Sequence, residues 1–199
     1  MSLAQRLLAE AVGTTALLAT VVGSGIMGTQ LAAGNDAIAL LANAAATAGV
    51  LYVAIVDTRA TLAYVGVQCV AAIAGVVLAH AMFDLPLLQP GTHARTGAAQ
   101  WLSEAVATCG LLLTILLGLR ARPAAIPALV AAYIFAAYWF TASTSFANPA
   151  VTLARALTQT FAGIRPIDAP GFIVAQLVGT ALALLLAAWL ERRTPAAAG

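Results

Sequence analysis

The sequence predicts an all-α membrane protein: six transmembrane helices in an inverted 3+3 repeat, with one re-entrant half-helix where such a plan expects two. Three observations lead there. The chain is 62% hydrophobic and 8% charged, with a mean hydropathy of +0.97, whereas a soluble domain carries roughly 25% charged residues. Its apolar residues gather into runs of about 20, the length that crosses a hydrocarbon core as helix. Finally, Asn148-Pro149-Ala150 opens an apolar run, Asn148 to Leu157, that is too short to span a bilayer.

The elements follow in order. A first span covers about Gln5–Met27 and carries Glu10-Ala11-Val12-Gly13-Thr14. It lacks a short apolar core followed by a cleavage site, so it is expected to be retained as a span. The second span is about Ala37–Val56 and the third about Thr61–Phe83. Between these two stands only Asp57-Thr58-Arg59-Ala60, read as a solvated turn in preference to a gate. The fourth span, Gln100–Gly118, opens on Glu104-Ala105-Val106-Ala107-Thr108, echoing the first. The fifth runs over Ala124–Thr141 and the sixth over Gly171–Leu190. Phe172-Ile173-Val174-Ala175-Gln176 in the sixth echoes Tyr64-Val65-Gly66-Val67-Gln68 in the third. All six runs are continuous and rich in Leu and Ala rather than alternating, so they read as helices and not as barrel strands.

Three spans followed by three similar spans make one domain over 1–199, with a first repeat at about 1–90 and a second at about 98–193. The landmarks then measure a gap. Glu10 and Gln68 are 58 positions apart, Glu104 and Gln176 are 72 apart, so the first half is shorter by at least 14. The second half holds an insert, Ala142 to Pro170, that includes the Asn-Pro-Ala run, and no Asn-Pro-Ala precedes it. The first re-entrant element is missing.

Charge placement orients the chain. The basic residues are nine arginines with no lysine. Arg6, Arg59, Arg120, Arg122, Arg192 and Arg193 fall on one predicted side, Arg95 and Arg165 on the other, and Arg155 within the short run. The positive-inside rule then puts both termini in the cytoplasm. No basic cluster exceeds two residues, which leaves a nucleic-acid partner without support. Cys69 and Cys109 lie inside different spans and read as small apolar residues, with no spacing for a metal or a disulfide. His80 reads as a span-end residue and His93 as a loop residue. Small residues such as Gly23-Ser24-Gly25 suit close helix approach in lipid.

The chemistry rests on Ser143 to Ala150. Asn148 is a good helix N-cap, and Pro149 at the first helical position loses no needed hydrogen bond. A helix from Pro149 to about Leu157 would cross half a bilayer. The extended stretch before it survives at that depth only if buried in protein or lining a wet cavity. The Asn148 amide and the positive helix end would then face a polar path that suits neutral hydrogen-bonding solutes and disfavours cations. No nucleophile, general base or metal-ligand cluster converges in the sequence, so neither an enzyme nor a cofactor or metal is expected.

With these residues in place, the whole chain resembles the aquaporin, or major intrinsic protein, family, whose two Asn-Pro-Ala loops meet at the membrane midplane. The resemblance is carried by Glu10, Gln68, Glu104, Gln176 and Asn148-Pro149-Ala150-Val151-Thr152-Leu153. Thr92-His93-Ala94-Arg95-Thr96-Gly97 and Tyr138-Trp139-Phe140-Thr141 look like the bacterial branch associated with arsenic-resistance operons. The resemblance implies a passive channel for water, glycerol-like polyols or metalloid hydroxides such as arsenous acid. It also implies a homotetramer embedded in the lipid of a bacterial plasma membrane.

Carrying the family's filter across gives Val151 where water- and glycerol-conducting members have arginine. It also gives Ser145 three positions before Asn148, Ala136 twelve before, and Thr47 or Gly49 from the second span. Such a filter is wide and weakly selective. Arg155 falls past it, toward the outer surface, and receives no filter role. By the same resemblance Glu10 and Glu104 each accept backbone N–H groups of their half's re-entrant loop. Glu104 keeps its loop, while Glu10 is left protonated, hydrated or paired elsewhere. Gln68 and Gln176 hold the re-entrant elements or merely pack helices. The rival reading is a truncated, non-conducting member of the same family.

Overall fold

The computed structural model describes residues 2–54 and 61–193, all helix, turn and loop. Asp57–Ala60, read above as a turn, lies outside the described residues. Six long helices appear where apolar runs demand them: α1 (Leu3–Leu31), α2 (Asp36–Ala54), α3 (Thr61–Met82), α4 (Ala98–Ala121), α5 (Ile126–Phe140) and α7 (Ala169–Arg193). Each is long and apolar enough to cross a membrane, α5 together with the 3₁₀ turn Pro123–Ala125 that leads into it. The seventh helix, α6 (Pro149–Arg155), has 7 residues and stops one turn short of crossing even half a bilayer.

Local chemistry sets the ends. α1 starts two residues earlier than its apolar run because Ser2 and Gln5 form a reciprocal capping box. α6 starts at Pro149 because the Asn148 carboxamide oxygen accepts the N–H groups of Ala150 and Val151, at 2.7 and 3.2 Å. Those are two of the orphan donors that every helix start must satisfy. α6 ends before Leu157 because Arg155 and Ala156 turn the chain back: the N–H of Ile164 donates to the Arg155 carbonyl at 3.1 Å.

Packing repeats between the halves. α1 packs on α2 and α3 as α4 packs on α5 and α7, and α2 meets α5 between the halves. Small residues sit at two close backbone crossings. A Cβ on Gly75 would sit 2.5 Å from the Thr15 carbonyl oxygen across α1 and α3. On Gly179 it would sit 2.3 Å from that of Ala105 across α4 and α7. Backbones this close gain dispersion contact that lipid-facing helices cannot obtain from hydrophobic burial.

The half-helix breaks the symmetry. α6 follows α5 in the second half, yet it packs chiefly on α3 of the first. Ala150, Val151 and Ala154 complete one apolar core with Leu18, Val22, Val76 and Ala79. In sequence, six positions separate α2 from α3, against the 28 between α5 and α7 that include α6. At the opposite end, the connection after α3 runs beside the one after α6. The N–H of Gly91 donates to the Ala156 carbonyl at 2.8 Å and that of Arg165 to the His93 carbonyl at 2.9 Å. The third and fifth connections thus lie on one end of the bundle, as alternating spans require.

Candidate functional site

The site is the stretch Thr141–Arg155, which enters the bundle and turns within it. Backbone there is unusual: Thr144, Ser145 and Ala147 all have φ between 51° and 57°, a left-handed conformation that disfavours residues with a Cβ. Such residues cost about 1 kcal/mol or more each and persist only where the surroundings hold them. Here α4 does the holding. The Glu104 carboxylate, fully buried, accepts the N–H of Phe146 at 3.2 Å and that of Ala147 through its other oxygen. Ser103 Oγ accepts the N–H of Ala142, and Gln100 Nε2 donates to the Ala142 carbonyl. From α7, Gln176 Nε2 donates to Glu104 Oε1 and to Thr152 Oγ1, both at 2.8 Å, tying carboxylate to half-helix.

The first half keeps the same acid and amide, and among the described residues no loop stands between them. Gln68 Nε2 donates to Glu10 Oε1 at 2.5 Å, and Thr14 Oγ1 approaches the same oxygen at 3.5 Å. Of the alternatives open for Glu10, pairing elsewhere is what the structure displays.

Loop and half-helix wall a cavity of about 110 Å³, room for several waters. Thr47, Ser145, Asn148 and Val151 line it together, so four of the residues singled out from the sequence converge. Gly49 does not, being exposed on α2. Ala136 does not either: it lies on the exposed face of α5, while Tyr138 faces the cavity. Two residues along a helix rotate by about 200°, so a count carried through the irregular loop selects the wrong face. Tyr138 is buried, with its hydroxyl 3.3 Å from Thr47 Oγ1, linking α5 to α2. Thr47 itself donates to the Asn43 carbonyl.

Two buried arginines flank the loop. Arg95, from the connection after α3, donates from Nε to the Gly163 carbonyl at 2.9 Å and from Nη1 to the Ser143 carbonyl and Thr144 Oγ1, both at 3.3 Å. Burial lowers its pKa to about 10, which leaves it charged at neutral pH. Arg155, set past the filter by the sequence reading, lines the cavity instead. Its Nε donates to the Ala162 carbonyl and its guanidinium carbon lies 3.4 Å from the Phe146 ring centre, a close cation–π contact. Nothing in the residue pattern marked Tyr138 or Arg155 for the cavity, since both depend on how the loop turns. His80 is also more than a span end. It is fully buried, its Nδ1–H donates to the Leu87 carbonyl at 2.9 Å, and Nε2 lies 2.7 Å from Thr158 Oγ1. It fastens the end of α3 to the segment after α6.

Among the described residues, no group of three or more His, Cys, Asp or Glu could hold a metal ion. Comparison with known proteins gives one clear result. The chain is similar to the aquaglyceroporin AqpS of Rhizobium meliloti (strain 1021), 51% identical over 212 aligned positions, covering 94% of this chain and 91% of the relative. Since 94% of 199 residues is about 187, about 25 of those positions are filled in the relative alone. No family model matches the chain, and no solved structure does.

Proposed function

Because this chain belongs to the aquaporin, or major intrinsic protein, family, we propose that it is a passive membrane channel for small neutral solutes, among them water, glycerol-like polyols and metalloid hydroxides such as arsenous acid. One observation carries the reading: Asn148, Ser145, Val151 and Thr47 line a single cavity at the capped start of the half-helix. Its wall offers hydroxyl and amide groups among apolar side chains. A solute that can exchange its water for those groups enters at small cost, without energy coupling. Val151 narrows the cavity less than an arginine would, so selection by size is weak.

In this reading Glu104 and Gln176 position the loop, whereas Glu10 and Gln68 are the remnant of the matching support. The protein sits in a bacterial plasma membrane with both termini cytoplasmic, in keeping with the arginine distribution, and assembles as a homotetramer, as its family resemblance implies. The test is osmotic swelling of vesicles containing the purified chain, with water, glycerol and arsenous acid. Permeability equal to that of empty vesicles for every solute would sink the proposal.

A second reading has its own support. Only six residues join α2 to α3, and the relative fills about 25 positions that this chain lacks. In this reading half of a two-part pore element is missing and the chain is a non-conducting member of the family. Inserting a loop with an Asn-Pro-Ala run between α2 and α3 distinguishes the two. A silent channel that begins to conduct supports the second reading, and unchanged flux supports the first.

A further inference from the structure

We propose that Arg155 supplies the cation-excluding charge of this pore, a residue one helical turn beyond the position where Val151 stands; the proposal rests on the channel reading above. Residues 151 and 155 lie on one face of α6 because four positions return nearly to the same side of a helix. Both line the cavity. Arg155 is 2% exposed, yet among the described residues it forms no ion pair with a carboxylate. The two carboxylates near the loop are committed elsewhere. Glu104 holds two backbone N–H groups and Gln176. Asp168 accepts from the Arg165 guanidinium and from the Arg95 backbone N–H. What Arg155 has is the Ala162 carbonyl and the Phe146 ring, partners that place a positive charge without cancelling it. Arg95, 5.2 Å from the same ring on carbonyl and hydroxyl partners, adds to the positive field.

An independent observation makes the cavity a place where a solute is expected to bind. Ser145 lines it and is 3% exposed, and its Oγ has no hydrogen-bond partner among the described residues. Buried hydroxyls are almost always paired. This one lacks a protein partner at the wall of a cavity where, among the described residues, Arg155 carries the one lining formal charge. A neutral solute replaces its water there; a cation meets an uncancelled charge in a low-dielectric wall and does not.

Arg155 also fastens the returning segment, so the test must separate charge from fastening. Vesicles carrying the native chain, R155Q and R155K are compared for potassium and proton leak under an imposed gradient, and separately for glycerol swelling. Gln keeps an N–H donor for the Ala162 carbonyl and loses the charge, while Lys keeps the charge. The expected result is a cation leak at least tenfold higher in R155Q and near the native level in R155K. A leak in R155Q equal to the native one overturns the proposal, and so does a leak in R155K matching that of R155Q. The native chain alone offers a check that needs no variant: potassium flux comparable with glycerol flux would also overturn it. Native vesicles silent to glycerol sink the channel reading, yet the R155Q leak still decides the role of Arg155.

Discussion

Two glutamates in matching sequence patterns separate at the level of single residues. Glu104 carries two backbone N–H groups and an amide, while Glu10 carries an amide and a distant hydroxyl. Hydrogen bonds to a charged group are worth about 1.5–3 kcal/mol each, and a buried donor left unpaired costs its full desolvation. Glu104→Gln turns an amide group against one of those backbone donors, so it should lower stability by about 2–4 kcal/mol. Glu10→Gln should cost about 1 kcal/mol or less, and thermal unfolding of both variants in detergent checks the contrast. Outside the spans, Asp168 behaves differently again. The hydrogen bond from Arg165 holds its carboxyl below the ordinary value of 3.8, with the Arg95 backbone N–H adding to the effect against burial. A depressed folded value means the carboxylate stabilises the fold above about pH 4 and loses that contribution as pH falls through its own titration. The native protein should therefore lose thermal stability between pH 5 and pH 3 more steeply than Asp168→Asn. The legible part of the site was the part fixed by local rules. Asn148 caps, Pro149 starts the helix, and both do so whatever surrounds them. That Ala136 faces away from the cavity and that Arg155, one turn past Val151, still lines it were not legible, because their orientation depends on the path of Thr141–Asn148 and of the segment after α6, and three left-handed residues reset the phase of the chain.

Among the elements, the six long helices were readable because lipid demands length and apolarity of each, and those are properties of a contiguous run. The start of α1 shifted by two residues where Ser2 caps it, and the short α6 ended early where Ile164 bonds back to Arg155. Helix pairing was less readable, since a glycine in a span does not announce which neighbour approaches it. Gly179 and Gly49 make the point. A Cβ at 179 would strike the Ala105 carbonyl oxygen at 2.3 Å, whereas at 49 nothing lies within 4 Å. Gly179→Ala should cost about 1–3 kcal/mol through overpacking. Gly49→Ala should stabilise by about 0.5–1 kcal/mol through lower backbone freedom in the unfolded chain. Thermal midpoints moving in opposite directions would bear out the crossing described here; two losses of equal size would contradict it.

For the whole molecule, the inverted repeat was visible as two sets of landmarks, and its defect as a difference in their spacing. What no spacing could show is how the first half makes do. Its acid and amide satisfy each other, and its apolar core is closed by α6 from the second half. This asymmetry has a bearing on synthesis. α1 to α3 emerge from the ribosome long before Ala150, Val151 and Ala154 exist, so Leu18, Val22, Val76 and Ala79 wait in the bilayer without the surface that covers them. A chain halted after α3 should stay loosely associated and open to proteolysis, and one extended through Arg155 should become compact. Nascent chains of graded length, stalled and probed with protease, would place that transition at the half-helix, making the late arrival of seven residues the step that commits the first half of the protein to its shape.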